Sequence, residues 1–162
     1  MLANNKQNIH AYFVTLILAM CLKIMPLPDY LSRLNPDWVL LTLIYWTLAV
    51  PERIGVFNGW LVGIIVDVLT GRLLGQQALI YALVSYASLK FHKRLRRYPL
   101  PQQSLFIFCS LLFAQVLVFW VENINNLAEF TLTFWMPVIT GTLFWPLIYL
   151  TLRFIRIFGQ VR

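Results

Sequence analysis

The chain has 162 residues, of which 60% are hydrophobic and 12% are charged, and its mean hydropathy is +0.73. Soluble domains average about 45–50% apolar and about 25% charged residues, so this chain has too few charges to cover a surface that faces water. The composition excludes an ordinary soluble domain and predicts an integral membrane protein of single-domain size.

The formal net charge of +7 is concentrated beside apolar stretches. One short loop holds five basic residues and the C-terminal tail holds three more: Lys90, Lys93, Arg94, Arg96 and Arg97, then Arg153, Arg156 and Arg162. Such clusters are the usual signal of membrane topology, and they can also contact anionic lipid. We therefore expect contact with lipid or with a cytoplasmic partner there, and no nucleic-acid partner. Cys21 and Cys109 lie within apolar stretches and are predicted to be small buried hydrophobes.

Six apolar segments follow one another along the chain, and each predicts a transmembrane helix. Their approximate bounds are 9–25, 36–50, 55–70, 76–90, 103–121 and 134–152. With both termini in the cytoplasm, most lysines and arginines lie on the inner side, whereas an odd number of spans would place a basic cluster outside. The predicted fold is an all-α bundle of six transmembrane helices that forms one polytopic domain over residues 1–162.

The second and third segments are short. The second is about 22 Å long as a helix, against roughly 30 Å of hydrocarbon. These segments must thin the bilayer, pack inside the bundle or extend into the loops. Pro51 and the next two residues predict a tight hairpin of the two segments. Asn35, Pro36 and Asp37 are predicted to open the second segment as N-cap, first helical residue and acidic first turn, just before Trp38.

A stripe of five residues at four-residue intervals runs through the third segment and just beyond it: Gly59, Gly63, Asp67, Gly71 and Gly75. Glycines at this spacing let another helix approach closely in lipid. Asp67 either hydrogen-bonds a neighbouring helix or the Gly71–Gly75 turn, or pairs with Arg72, or forms an ion, proton or ligand site. We favour a structural role, because Asp67 lies near the outer end of its span, where a charge is less costly. Gly71 and Gly75 are predicted to be a C-cap and a turn residue.

Other polar residues give weaker signals. Lys23 and Asp37 lie near the same outer face, but we favour separate roles, with Lys23 extending to the headgroups and Asp37 supporting its helix N-terminus. Pro146 predicts a kink in the last segment. Glu122 and Glu129 are interpreted as residues of a solvated loop.

Enzyme chemistry is not indicated by the sequence. The motifs H-E-x-x-H and G-x-S-x-G and a glycine-rich phosphate loop are all missing. His10 and His92 both lie at predicted cytoplasmic span ends. We predict a protein without catalytic residues, metal or cofactor.

The chain carries N-P-D-W at 35–38, L-I-Y-W at 43–46, Pro51, and G-W-x-x-G-x-x-x-D-x-x-x-G-x-x-x-G at 59–75. With these motifs in this order, the chain closely resembles the MreD family of bacterial rod shape-determining membrane proteins. The basic loop at 90–97 and the stretch from Phe134 to Pro146 extend the resemblance over essentially the whole chain.

The resemblance implies a non-catalytic inner-membrane subunit of the cell-elongation machinery, which supports lateral peptidoglycan synthesis and rod cell shape. The implied partners are MreC, RodA with its partner transpeptidase, and MreB, the last either directly or through other subunits. The family is also thought to resemble in fold the S components of energy-coupling-factor transporters. Candidates for helix packing or a partner interface are Gly59, Gly63, Asp67, Gly71, Gly75, Pro36, Asp37 and Trp38, and those for cytoplasmic lipid or partner contact are Lys90, Lys93, Arg94, Arg96 and Arg97.

The sequence leaves other functions open. One alternative is a small-molecule or lipid-binding membrane subunit of a transporter-like system, which Asp67 and the last helix would serve. Another is the presentation of a lipid substrate to a cell-wall synthase. A scaffold remains the preferred interpretation, because no cluster of convergent buried polar groups is visible in the sequence.

Overall fold

A computed structural model of the protein describes residues 2–125 and 131–158, with side chains from Ile9 onward. Within these ranges the regular secondary structure is entirely helical, without strands. The helices are α1 (Leu2–Ile24), α2 (Asp29–Ser32), α3 (Trp38–Ala49), α4 (Val56–Thr70), α5 (Gln76–Leu95), α6 (Leu100–Ile124) and α7 (Met136–Phe158), and a 3-10 helix (Leu132–Trp135) precedes α7. Each predicted apolar segment lies largely within one of the six longer helices, and the crossing of a membrane by all six stays a prediction.

The helices define two ends of the bundle. At the first, the Arg96 side chain beyond the end of α5 contacts the end of α3, and we call this the basic end. At the second, Lys23 near the end of α1 contacts Asp37 at the start of α3. Arg72, between α4 and α5, contacts Glu122 near the end of α6 at the same end. We call this second end the opposite end.

Helix α3 forms the centre of the bundle. Every residue from Val39 to Leu48 is buried, and the helix packs against α1, α5 and α7. Trp46 is fully buried, and its indole Nε1 donates to Thr15 Oγ1 of α1 at 2.9 Å. A helix that is apolar on all sides belongs inside a bundle. The structure therefore shows that this short segment packs inside the bundle, which is one of the three outcomes predicted for it.

Helix α4 packs chiefly along α5, not along α3. The predicted hairpin of the second and third segments is therefore wrong. The reason is that the glycine-bearing face of α4 fits closely against the backbone of α5. Among the described residues, α4 and α5 form a tight hairpin.

The outer surface of the described residues is apolar. Helix α6 and the segment Leu132–Phe158 are long and apolar enough to cross a membrane, and 28% of the most apolar stretch of each is buried. Large side chains also point outward elsewhere, such as Phe57 at 68% and Val68 at 66% exposure on α4. Soluble monomers rarely expose contiguous apolar surface on this scale. The exterior is suited to lipid.

Two local predictions need correction. Asp37, not Asn35, is the N-cap of α3, and Asp37 Oδ1 accepts from the Leu40 amide at 3.2 Å. Asn35 is unavailable as a cap because its Oδ1 accepts from the indole of Trp38. Cys21 and Cys109 are exposed, not buried, because their helix faces point outward. Pro146 lies inside α7, which continues to Phe158, and a kink at this proline stays a prediction.

Candidate functional site

Asp67 lies at the opposite end and is 1% exposed. Its carboxylate accepts from three backbone amides: Gly75 at 2.9 Å, Gln77 at 3.0 Å and Ala78 at 3.3 Å. The amides at a helix start have no partner within the helix, and a negative charge is favourable there. Asp67 thus caps α5 from the preceding helix. This geometry agrees with the interpretation that Asp67 hydrogen-bonds the neighbouring helix and turn.

Two glycines make this contact geometrically accessible. Gly71 is the C-cap of α4 with φ +63°, and Gly75 precedes α5 with φ +99°. Side chains rarely adopt such left-handed conformations, whereas glycine does so readily. No atom would crowd a Cβ at either position, so backbone conformation alone favours glycine there. Their predicted roles as C-cap and turn residue agree with this structure.

The other two glycines of the stripe face α5. A Cβ added at Gly63 would lie 2.6 Å from the Gln77 carbonyl oxygen, and one at Gly59 would lie 2.9 Å from the carbonyl oxygen of Tyr81. Both neighbours are backbone atoms, which cannot move without displacing α5. The stripe is therefore occupied by α5 of the same chain and is not a free surface for another protein.

A second cluster at the opposite end joins three helices. Lys23 Nζ, on α1, donates to Asp37 Oδ2 and to Tyr81 Oη, both at 2.9 Å. The Tyr81 hydroxyl lies 2.8 Å from both Asp37 oxygens and donates to that carboxylate. Asp37 also caps α3, so this part of its predicted role is right. The prediction of separate roles for Lys23 and Asp37 is wrong, because Tyr81 on α5 holds the two groups together.

Tyr81 was not singled out from the sequence. It is fully buried, yet its hydroxyl belongs to the cluster. The available signal was weak, because the apolar segment 76–90 holds two tyrosines, Tyr81 and Tyr86. A buried tyrosine hydroxyl usually has a hydrogen-bond partner, but the sequence does not show which of the two is buried.

Pro36 and Trp38 border this cluster on its α7 side. Pro36 Cβ would lie 3.5 Å from a Cβ added at Gly141 of α7. The Trp38 ring centroid is 5.6 Å from that of Phe144. Both residues thus pack the start of α3 against α7 of the same chain.

A cavity of about 820 Å³ adjoins Lys23 and Asp37 at the opposite end. Its polar lining includes Arg33, Arg72 and Glu122, and its apolar lining comes mainly from α6 and α7. Arg72 Nη1 is 3.6 Å from Glu122 Oε1. Glu122 is thus engaged by an arginine, whereas Glu129 lies outside the described residues. Arg72 contacts Glu122, not Asp67, so the suggested Asp67–Arg72 pair does not form.

The basic end carries Lys90, Lys93, Arg94, Arg96 and Arg97, all of which are exposed. Arg96 differs from the other four, because its guanidinium donates to the carbonyl oxygens of Leu48 and Ala49. It thereby caps the C-terminus of α3, where a cation is favourable. The sequence pattern did not distinguish this capping residue from its neighbours.

Within the described residues no three histidine, cysteine or acidic side chains come together as a metal site would require. The buried charges instead hold helix ends to one another. The fold and these contacts define a small, all-helical protein with an outer surface suited to lipid, in which Asp67, Asp37 and Lys23 serve contacts between helices.

The comparisons identify the family. The family model for the rod shape-determining protein MreD matches residues 6–155. The chain is also 31% identical over 140 residues to the rod shape-determining protein MreD of Haemophilus influenzae, which covers 86% of this chain and 86% of that relative. This chain therefore belongs to the MreD family, as its motifs indicated. This membership assigns it a role in cell shape, in a membrane-protein family that is not known for enzymatic activity. No solved structure matches the chain.

Proposed function

We propose that the protein is a non-catalytic inner-membrane subunit of the cell-elongation machinery, and that it supports lateral peptidoglycan synthesis. The observation that carries this proposal is the match to the MreD family over residues 6–155. The engagement of Asp67, Asp37 and Lys23 in helix-to-helix contacts supports a structural role over a catalytic one. A similarity in fold to S components of energy-coupling-factor transporters stays part of the proposal.

In this proposal all six longer helices cross the membrane and both termini are cytoplasmic. The exposed cations of the basic end support this orientation through the positive-inside tendency. The topology can be tested with single cysteines at Ser32 and Arg97, after Cys21 and Cys109 are replaced by alanine. A membrane-impermeant thiol reagent should label Ser32→Cys in spheroplasts and Arg97→Cys only after lysis. The reverse pattern would contradict the orientation.

We propose that MreC, through its single span, contacts an outward apolar face of the bundle, and that RodA and its partner transpeptidase associate in the same assembly. MreB then contacts the basic end or associates through other subunits. Helix α4 supports the choice of an outward face, because it packs chiefly against α5 and leaves Phe57 and Val68 exposed. The glycine stripe is an unsuitable docking face because α5 covers it.

Affinity purification of the tagged protein from native membranes, with mass spectrometry of the recovered proteins, tests this proposal. MreC, RodA and the transpeptidase should be recovered together. A photo-crosslinking residue at Val68 should capture a partner, whereas the same residue at Val66, which is 1% exposed, should capture none. Recovery of ATPase subunits without wall-synthesis proteins would instead favour the transporter-like alternative.

That alternative, a small-molecule or lipid-binding subunit, is favoured by the cavity at the opposite end. Pockets for small molecules typically measure about 300–1,000 Å³, and this cavity, at about 820 Å³, lies within that range. A bound metabolite recovered without wall-synthesis proteins would support the alternative over the scaffold.

A further inference from the structure

The cavity at the opposite end has a polar side and an apolar side. The end of α1, the start of α3, the α4–α5 turn, α6 and the start of α7 all contribute to its wall. Charged side chains that face a cavity between apolar helices commonly mark a binding site. The chemistry of the lining indicates what that ligand is.

The charged side of the lining has an excess of positive charge. Lys23, Arg33 and Arg72 face Asp37 and Glu122, so three cations oppose two carboxylates. Asp37 neutralises Lys23 at 2.9 Å, with Tyr81 bound to both. This ion pair forms a neutral inner wall. The two arginines, opposed by Glu122 alone, then give the cavity a net positive charge that favours an anion.

The two arginines are available to a ligand. The side chain of Arg33 makes no hydrogen bond or ion pair in the part of the chain that the structure describes. Arg72 is 43% exposed and lies 3.6 Å from Glu122, longer than the roughly 2.7–2.9 Å of a strong charge-assisted hydrogen bond. An anion could therefore recruit both guanidinium groups without breaking a tight pair. Guanidinium forks bind phosphate and carboxylate oxygens in a bidentate manner.

The opposite wall of the cavity is apolar. Leu111, Ala114 and Val118 recur on one face of α6, and Leu40 and Val138 extend this surface from α3 and α7. All five side chains are buried within the bundle. A small hydrophilic anion would leave this wall without a complementary surface. A ligand with an anionic group beside hydrocarbon would match both sides.

We propose that this cavity binds an amphiphile that carries a phosphate group, with Arg33 and Arg72 contacting the phosphate and the Leu111–Val118 face of α6 contacting the adjoining hydrocarbon. A membrane lipid supplies this chemistry at the bilayer surface, and a soluble phosphate ester is the other source. The inference goes beyond the proposed shape-determining role and does not depend on it.

The first test uses the delipidated, purified full-length protein and native mass spectrometry with phosphatidylglycerol. The double variant Arg33→Gln/Arg72→Gln should bind its tightest lipid at least about tenfold more weakly, a change that corresponds to about 1.4 kcal/mol. The control variant Arg53→Gln/Arg153→Gln removes the same charge from exposed sites at the basic end and should retain the wild-type affinity. Equal affinities in all three proteins, or equal losses in both variants, would overturn the proposal.

Inorganic pyrophosphate distinguishes the two sources of phosphate. Binding of phosphatidylglycerol but not of pyrophosphate would assign the site to a lipid, because the apolar wall is then needed. Binding of pyrophosphate that the Arg33→Gln/Arg72→Gln variant weakens, without binding of phosphatidylglycerol, would assign the site to a small soluble phosphate and overturn the proposal of an amphiphile. If neither probe binds to the wild-type protein, the proposal is overturned.

A second pair of variants keeps every charge and remains informative if the arginine variant does not fold. Ala114→Trp fills the cavity from its apolar side, whereas Val116→Trp adds the same bulk to a position of α6 that is 44% exposed. Only Ala114→Trp should weaken lipid binding by about tenfold or more, with both proteins retaining the wild-type melting temperature within a few degrees. Unchanged binding in Ala114→Trp would contradict the proposal. These assays measure binding alone, so their failure leaves the recovery of MreC and RodA as a separate test of the proposed function.

Discussion

The two acidic residues at the opposite end are held in different ways. Asp67 makes no ion pair among the described residues, and backbone amides within eleven positions of it satisfy its charge. Asp37 instead depends on Lys23 and on Tyr81, which lies 44 positions away in the chain. The first arrangement sets one hairpin, and the second ties three helices together. The comparison shows which buried charges a sequence pattern can explain and which need the whole bundle.

Replacement of Asp67 by alanine should give the largest effect. Three amides would lose their acceptor, and a buried unsatisfied donor costs about 1–3 kcal/mol. We therefore expect Asp67→Ala to lower the free energy of unfolding in detergent by on the order of 3 kcal/mol. Asp29→Ala, at an exposed position of α2, is the control and should change it by less than about 0.5 kcal/mol. Equal stabilities would refute the capping role of Asp67.

Gly63→Ala tests the close packing of α4 on α5. The added methyl group would meet the backbone of Gln77 and Ala78, and such overpacking costs about 1–3 kcal/mol. Gly141→Ala is a matched control on α7, where the nearest atom is the movable Leu111 Cδ1 at 2.6 Å. Thermal unfolding should show a clear loss for Gly63→Ala and little change for Gly141→Ala. The opposite order would show that the α4–α5 contact is less tight than described.

The cluster around Asp37 should respond less strongly, because Lys23 and Asp37 retain 17% and 23% exposure of their side chains. Tyr81→Phe removes one hydroxyl that both donates and accepts, so we expect a loss of about 1 kcal/mol in stability. Tyr86→Phe, at a position with 57% exposure, should be neutral. A double-mutant cycle between Lys23→Ala and Tyr81→Phe should show coupling, and strict additivity would mean that the two groups do not interact.

Arg96→Gln should give the smallest of the four effects. Its guanidinium caps α3 from an exposed position, so its loss should lower stability by about 0.5 kcal/mol, the low end for a hydrogen bond. Arg97→Gln, the adjacent exposed residue, should not change stability measurably. Similar melting temperatures for both variants would place Arg96 with the other four cations of the basic end as a surface residue.

Features with short-range signals were predictable from the sequence. The six apolar segments correspond to helices because composition and breaks at proline and glycine mark them directly. Asp67, Gly71 and Gly75 lie close together in the chain, so their spacing already indicates a turn that returns to the carboxylate.

Features that depend on the arrangement of helices were not predictable. The pairing of Lys23 with Asp37, the contribution of Tyr81 and the capping of α3 by Arg96 require knowledge of which helix ends meet. The same applies to the packing of α4 on α5 and to the outward position of the cysteines. Hydrophobicity alone does not reveal which face of an apolar helix points to lipid.

The most direct measurement compares wild-type protein and Asp67→Ala in cells that lack their own copy of the protein. The amount of protein in membranes, the MreC recovered per molecule and the cell width should be measured together. The account predicts that Asp67→Ala lowers the membrane level or complex formation, and that cells widen accordingly. Normal level and normal assembly with lost rod shape would contradict it, because Asp67 would then act on a ligand or ion and not on helix packing.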